Sequence, residues 1–426
     1  GGFAQWYPDE PLRWAAGDRL LFLSEHPTPA GDGHWFHVYS LPASGESGAA
    51  EPVDLTPGPC MAEQSALSPD RTTLFVSSNC GDIDRRHLWR VPVDGGEAVR
   101  ITGGTGIETD PVPLFGETVL ALRQADGRRP PTVSVVSRDG GALRAISPTL
   151  PEAFPLDELV EPEQVVFEAA DGLPIHGQLF PARRPPGERG PAVIFMHGGP
   201  VRQMLLGWHP RQYYAWAYGM NQYLASRGVT VLSVNYRSGI GYGRDFRQAA
   251  GQGPRGATEY RDILAAGLYL RGLPAVDPER IGLWGGSYGG YLTALGLARD
   301  SDLFAAGVDL HGVHDWALRA TDFSPGGAWG LTEDLLEGAR AASPVANLDF
   351  WTSPVLVVHG DDDRNVLFLQ TTDLVRRLRE RDVPVEILVL PDEVHGFLRQ
   401  ASWLAVYGRA AEFFERRLGG VGERPE

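Results

Sequence analysis

The stretch "RIGLWGGSYGGYLTALGLA" (residues 280–298) sets one serine between an apolar strand-like run and an apolar helix-like run. Gly285, Gly286, Gly289 and Gly290 flank Ser287, which gives the pattern G-x-S-x-G. Between a strand and a helix, that pattern makes a tight turn that lifts the serine hydroxyl into the open. Glycines let the helix approach the strand where a Cβ would clash. The helix N-terminus then presents unpaired backbone N–H groups to developing negative charge. Ser287 is the candidate nucleophile.

The neighbouring sequence supplies that context. From Val165 a strand pair, "VVFEA" and "IHGQLF", leads into alternating strands and helices. The later strands are "AVIFMHG", "VTVLSVNY", "RIGLWGG", "AAGVDLHG", "PVLVVHG" and "VEILVL". They are apolar on both faces, which indicates a mostly parallel sheet with helices on both sides. Such sheets place reactive residues at the carboxyl ends of their strands.

A serine hydroxyl is a weak nucleophile and needs a base. In α/β-hydrolases the order along the chain is Ser, then Asp or Glu, then His. After "VLVVHGDDDRNV" (residues 355–366) the chain holds one histidine, His395 in "PDEVHGF". Order alone excludes the other ten of eleven histidines as the base. Asp361, Asp362 and Asp363 are equivalent on this reasoning, and any of them could orient His395. One oxyanion donor is expected at the Tyr288 backbone N–H, the residue after the nucleophile. The second is expected from "FMHGGP" (residues 195–200).

The first third of the chain repeats a different pattern. Hairpin-like segments start at Val38, Leu88 and Val133, 50 and 45 residues apart. Each is a short alternating strand, a Gly-rich turn and a second strand ending in Thr or Ser. That period suits the four-stranded blades of a β-propeller. About three blades can be counted, fewer than the roughly four of a closed ring. The expectation is an incomplete β-propeller over residues 1–158, a Pro- and acid-rich linker at its end, and an α/β-hydrolase catalytic domain over residues 159–426. An ordinary β-sandwich is the alternative for the first part. The chain opens Gly1-Gly2-Phe3 without Met, so a preceding segment is expected to be missing.

Composition removes other classes. The chain of 426 residues carries a formal charge of −16, which argues against nucleic acid and anionic membranes as partners. Every basic residue is arginine, so no phosphate-loop lysine, Schiff-base lysine or lysine base is available. No apolar run approaches the roughly 18 residues of a membrane span. His197 has no H-E-x-x-H or Cys/His cluster around it, so no metal and no cofactor are expected. The two cysteines, Cys60 and Cys80, lie symmetrically about Asp70 in the turn "SPDR". In a hairpin of simple register they face each other within disulfide reach. Two separate buried thiols is the other reading. A bond would favour a periplasmic or secreted location, its absence a cytoplasmic one.

With these residues in place, the chain resembles the prolyl oligopeptidase family of serine peptidases, which set a β-propeller ahead of an α/β-hydrolase domain. The motifs "HGGP", "NYRSGIGYG", "WGGSYGGY", "HGDDDRNV" and "HGF" occur in that order. The resemblance implies that the acid lies four residues after the histidine of its H-G motif. Here that histidine is His359, so the acid is Asp363, with Asp361 and Asp362 left as loop acids. "HGGP" is similar to the acylaminoacyl-peptidase branch and implies the Gly199 amide as second oxyanion donor. Dipeptidyl peptidases carry a tyrosine at the His197 position instead. "GVHDW" and "DRNV" nevertheless look like the dipeptidyl-peptidase specificity pocket. Carried over, Val313, Trp316, Asn365 and Val366 line a pocket for the side chain before the scissile bond. The alternative reading of Val313 and Val366 is core. The paired glutamates that hold a substrate amine in dipeptidyl peptidases have no counterpart. Glu63 in "CMAEQS" is a single candidate, more simply read as a solvated strand-edge acid.

The expected activity is hydrolysis of short peptides through an acyl-enzyme, of acylaminoacyl-peptidase or dipeptidyl/aminopeptidase type. Ser287 attacks, His395 moves the proton and Asp363 holds the imidazole. Short peptides are the expected partners, with either a homo-oligomer or a second chain completing the propeller. The rivals are a carboxylesterase with the same triad and an inactive propeller–hydrolase fragment that binds a partner.

Overall fold

The three hairpins repeated in the sequence are the last two strands of three four-stranded antiparallel sheets. The computed structural model describes residues 12–27, 34–43, 51–114, 118–148, 150–318 and 332–419. The Gly-rich turn of the first hairpin and the first residues of the chain lie outside these. The first sheet runs in order β1 (Arg13–Ala15), β2 (Arg19–Pro27), β3 (His34–Pro42) and β4 (Val53–Asp54). The second is β5 (Ala62–Leu67), β6 (Thr73–Ser78), β7 (His87–Pro92) and β8 (Val99–Arg100). The third is β9 (Ile107–Pro113), β10 (Val119–Ala125), β11 (Thr132–Ser137) and β12 (Arg144–Ala145). These are blades of a partial β-propeller, three among the described residues.

Strand alternation explains how the blades stack. Successive side chains of a strand point to opposite faces. On β6, Leu74 and Val76 join Leu21, Val38 and Val91 in a cluster shared with the first sheet. Phe75, between them, joins Leu88, Leu120, Leu122 and Val136 in a cluster shared with the third. The middle sheet is therefore apolar on both faces, and each fully buried aliphatic side chain contributes about 1.5–3 kcal/mol.

Cys60 and Cys80 are bonded, with Cα atoms 4.9 Å apart. Their register depends on a β-bulge. From the turn outward, β5 and β6 pair Leu67 with Leu74 and Gln64 with Ser77, then slip one residue so that Ala62 meets Ser78. Continued without the slip, the first register would set Met61 opposite Cys80. Glu63, the extra residue, is not the solvated acid expected from sequence. Buried Arg86 donates to its Oε1 at 2.8 Å. Burial opposes ionisation of Glu63, but the charge and hydrogen bond of Arg86 outweigh it and lower its pKa.

Contacts divide the chain into two units. The first is Gly1–Asp157 with Leu205–Tyr218 and Ile240–Arg247, and the second is Glu158–Met204, Gly219–Gly239 and Gln248–Glu426. Within the first unit, Arg247 makes a bidentate pair with Glu25 at 2.7 Å on both arms.

The second unit is built on one eight-stranded sheet, with the helices of an α/β-hydrolase fold. Its strands are β13 (Glu163–Glu168), β14 (Pro174–Phe180), β15 (Gly190–Met196), β16 (Thr230–Asn235), β17 (Val276–Gly286), β18 (Ala306–Leu310), β19 (Val355–Gly360) and β20 (Val385–Leu390). The spatial order is β13-β14-β16-β15-β17-β18-β19-β20. Pairing is antiparallel from β13 to β16 and parallel for the rest. Among the described residues the helices of the chain are α1 (Gln212–Ser226), which begins in the first unit, α2 (Arg244–Arg247), which lies in the first unit, and, in the second, α3 (Tyr260–Gly272), α4 (Tyr288–Arg299), α5 (Glu333–Ala341), α6 (Leu369–Arg379) and α7 (Gln400–Leu418).

Strands β15, β16, β18 and β19 are buried along their whole length, as their continuous apolar sequences require. β20 departs from the expectation of two covered faces. It ends the sheet, and Ile387 and Val389 remain exposed. Helix α4 is buried from Tyr288 through Ala298, which its nearly all-apolar sequence permits. No helix among the described residues is long and apolar enough to cross a membrane.

Candidate active site

Four adjacent parallel strands, β17 to β20, end side by side, and each is followed by a residue of the site. Ser287 follows β17, His311 follows β18, Asp363 lies just past β19, and His395 lies past β20. Neighbouring strands are about 4.8 Å apart, so their terminal loops overhang one another.

Ser287 sits at φ 59°, ψ −114°, a conformation strained for a residue with a Cβ. Its N–H donates to Leu310 O at 2.9 Å, and its carbonyl accepts the Tyr291 N–H at 2.9 Å to start α4. The turn is possible because α4 begins in contact with the end of β15. A Cβ on Gly289 would collide with the Met196 carbonyl oxygen and come within 3.0 Å of His197 O. The "HGGP" loop thereby lies against the first turn of the nucleophile helix. Gly199 in that loop has φ +128°, a region closed to ordinary side chains.

His395 Nδ1 donates to Asp363 Oδ2 at 2.6 Å. Asp363 Oδ1 accepts the backbone N–H groups of Asn365 at 2.8 Å and Val366 at 3.0 Å. His359 Nε2 lies 3.2 Å from Asp363 Oδ2 and donates to Val366 O at 2.9 Å. Burial works against the ionised form of Asp363, but the hydrogen bonds from His359 and His395 outweigh it and hold the carboxyl far below its ordinary pKa. Asp363 is thus an anion pointed at one nitrogen of His395. Its two neighbours point elsewhere: Asp361 accepts the Asp392 N–H at 2.7 Å, and Asp362 pairs with Arg364 at the surface. Among the described residues, Ser287 Oγ makes no hydrogen bond to His395.

His197 is a packing group. Its ring is buried and stacked on Tyr236 at 4.3 Å, its Nδ1 donates to Gly198 O at 2.9 Å, and its carbonyl accepts from the Tyr236 hydroxyl at 2.7 Å. Burial, helped by the Arg202 charge, pushes its pKa down to about 3, against the Gly198 bond. Of the residues expected to line a substrate pocket, Val313 and Val366 are buried, Trp316 is half-buried and Asn365 is exposed. Trp316 packs its ring 6.0 Å from Tyr288 and 5.2 Å from Tyr291. The buried Gln370 clamps this loop, accepting the N–H groups of His314 at 2.9 Å and Asp315 at 2.8 Å.

Sequence reasoning missed His311 and Glu259. His311 is fully buried, with φ 41°, and its ring lies 4.4 Å from that of His395. Burial, with the His395 and His359 rings nearby, holds its pKa well below that of an ordinary imidazole. A signal was present: a His-Gly pair follows β15 and β18 and ends β19, at His197, His311 and His359. Glu259 is the buried acceptor for the Tyr288 hydroxyl at 2.6 Å.

A strained serine at a strand–helix turn and a buried carboxylate bonded to an imidazole, on strand ends of one sheet, are parts that a nucleophilic hydrolase uses. Residues 216–421 match the model of the prolyl oligopeptidase family. The domain that carries this site belongs to the prolyl oligopeptidase family. The chain is 31% identical over 244 residues to dipeptidyl aminopeptidase BIII of Pseudoxanthomonas mexicana, covering 55% of this chain and 34% of that protein. It is 25% identical over 336 residues to the acylamino-acid-releasing enzyme of Mus musculus, covering 73% of this chain and 44% of that one. It therefore spans less than half the length of either relative. Its fold is similar to that of a puromycin hydrolase, with TM-score 0.79, 22% identity and 96% and 61% of the two chains covered. An acylaminoacyl peptidase of Pyrococcus horikoshii gives TM-score 0.75, 23% identity and 96% and 63% covered. These likenesses are of fold alone, a β-propeller portion and an α/β-hydrolase domain, over nearly the whole chain.

Proposed function

We propose that this chain is a serine peptidase that hydrolyses short peptides through an acyl-enzyme. The hydrogen bond from His395 to Asp363, one strand-end loop away from the strained Ser287, carries the reading. Ser287 Oγ attacks the scissile carbonyl as His395 takes its proton. Asp363 keeps the imidazole in one tautomer and stabilises it once charged. The backbone N–H groups of Tyr288 and Gly199 receive the oxyanion, each worth roughly 3–4 kcal/mol of transition-state stabilisation. His395 then gives its proton to the leaving amine, and water repeats the sequence on the ester.

Trp316, against the Tyr288 ring, forms the apolar wall for the side chain before the scissile bond, with Val313, Asn365 and Val366. Residues 1–158 act as the blades and residues 159–426 as the catalytic domain. The Cys60–Cys80 bond supports an oxidising compartment. The test is turnover of a panel of peptide anilides and p-nitrophenyl esters by the wild type and Ser287→Ala. The wild type is expected to favour the anilides in kcat/KM, and Ser287→Ala to lose both activities. Turnover retained by the alanine variant would end the proposal, and a preference for esters would make the protein a carboxylesterase.

A further inference from the structure

The acyl-transfer chemistry uses one imidazole, yet the site holds a second within contact of it. Strand β18 lies between β17 and β19, so the residue after it falls between the nucleophile's strand and the acid's strand. That residue is His311, fixed by its N–H bond to Val358 O at 2.7 Å. Its ring packs 4.4 Å from His395 and 5.3 Å from Phe397. His311, Asp363 and His395 each offer a ligand atom, and these atoms lie within 4.8 Å of one another.

Two imidazoles and a carboxylate with an open fourth position are a donor set that zinc accepts readily. Zinc–ligand bonds of roughly 2.0–2.2 Å would set the three ligand atoms about 3.4 Å apart in a tetrahedron. The cluster must therefore rearrange slightly to close on an ion. His395 can supply that movement, since it sits in a loop and keeps 19% of its side chain exposed. Its partners are fixed: Asp363 is held by the Asn365 and Val366 amides and by His359. Hydrogen bonds of this kind behind the ligands are what orient a metal site.

We propose that His311, Asp363 and His395 form a binding site for a zinc-type divalent ion, and that filling it switches the hydrolase off. An ion bound to His395 takes a lone pair of the imidazole or draws the ring away from its bond to Asp363. Either way His395 no longer accepts the Ser287 proton. The inhibitory part rests on the peptidase reading above; the binding part does not.

The experiment separates the two. Zinc chloride is titrated calorimetrically into the full chain carrying Ser287→Ala, so that binding is read without turnover. One ion per chain is expected. Adding His311→Asn, which tolerates the positive φ, should weaken binding at least about tenfold. His395→Asn, at a partly exposed position, should do the same and serves if the buried variant does not fold. In the enzyme with Ser287 intact, zinc should abolish anilide turnover, a chelator should restore it, and His311→Asn should raise the zinc concentration for half inhibition at least about tenfold. Absence of binding overturns the proposal, as does affinity unchanged by His311→Asn and His395→Asn. Binding that depends on His311 in a chain that turns over neither anilides nor esters would uphold the metal site and reject the peptidase reading.

Discussion

The Tyr288 hydroxyl donates a 2.6 Å hydrogen bond to the carboxylate of Glu259. Glu259 is fully buried and also accepts from Ser238 Oγ at 2.8 Å and the Gly253 N–H at 3.1 Å. Tyr288 follows the nucleophile, and its backbone N–H is the proposed oxyanion donor. Burial, with the Glu259 charge next, raises the phenol well above its ordinary pKa, so it remains a donor. The carboxylate thus holds the first residue of α4 by its side chain, and with it the amide proposed as the oxyanion donor.

Tyr288→Phe should therefore slow chemistry more than it weakens binding. Small misplacements of a catalytic donor cost up to about 100-fold, and a drop in kcat of about 10- to 100-fold is expected with KM little changed. The deprived carboxylate should also cost about 1–3 kcal/mol of stability. Steady-state kinetics on one anilide and a denaturant melt read the two effects separately. A change confined to KM would contradict this role.

Asp363→Asn should lower kcat by about 10⁴-fold, because the amide favours the wrong imidazole tautomer. The stability effect has a definite sign. The folded carboxyl titrates well below its ordinary pKa, so its contribution is present above the ordinary carboxylate range and is lost as pH falls beneath it. The asparagine variant should show a shallower loss of thermal stability on acidification. Parallel melting curves across the acid range would count against the assignment.

Glu393 tethers the loop that carries His395. It accepts from Ser402 Oγ at 2.5 Å, Arg399 Nε at 2.8 Å and the Leu398 N–H at 2.6 Å. Burial opposes its charge, but these bonds bring its pKa down from 4.5 to about 2. Its stabilising contribution is thus complete above pH 4.5 and disappears as pH falls toward 2. Glu393→Gln should melt earlier at neutral pH and converge with the wild type on acidification. It should also depress kcat, since His395 lies two residues on; a wild-type kcat would show that the tether does not position the base.

Reduction of Cys60–Cys80, or Cys60→Ser with Cys80→Ser, removes a link across 20 residues and should cost about 3 kcal/mol. The melting midpoint in reductant against buffer measures it. The double variant should be insensitive to reductant, and a wild type equally insensitive would mean the bond does not form.

Local order was legible in the sequence because it depends on nearest neighbours. Apolar strands alternating with helices, the Gly-flanked Ser287 and the three hairpins of the blades follow from periodicity and turn chemistry alone. So did the choice of His395 as the candidate base, since chain order left no other histidine. The acid did not: Asp361, Asp362 and Asp363 share one loop and one chemistry, and the resemblance to a family was needed to prefer Asp363. The fold separates them by backbone geometry, turning one carboxylate toward His395 and two toward the surface. The cysteines could be seen to oppose each other, but a one-residue bulge at Glu63 decides that they do. His311 and Glu259 are 84 and 29 residues from the side chains they meet, His395 and Tyr288. Contacts at such distances depend on which strands are neighbours in the sheet and on how their loops overhang, and only the folded chain sets that order.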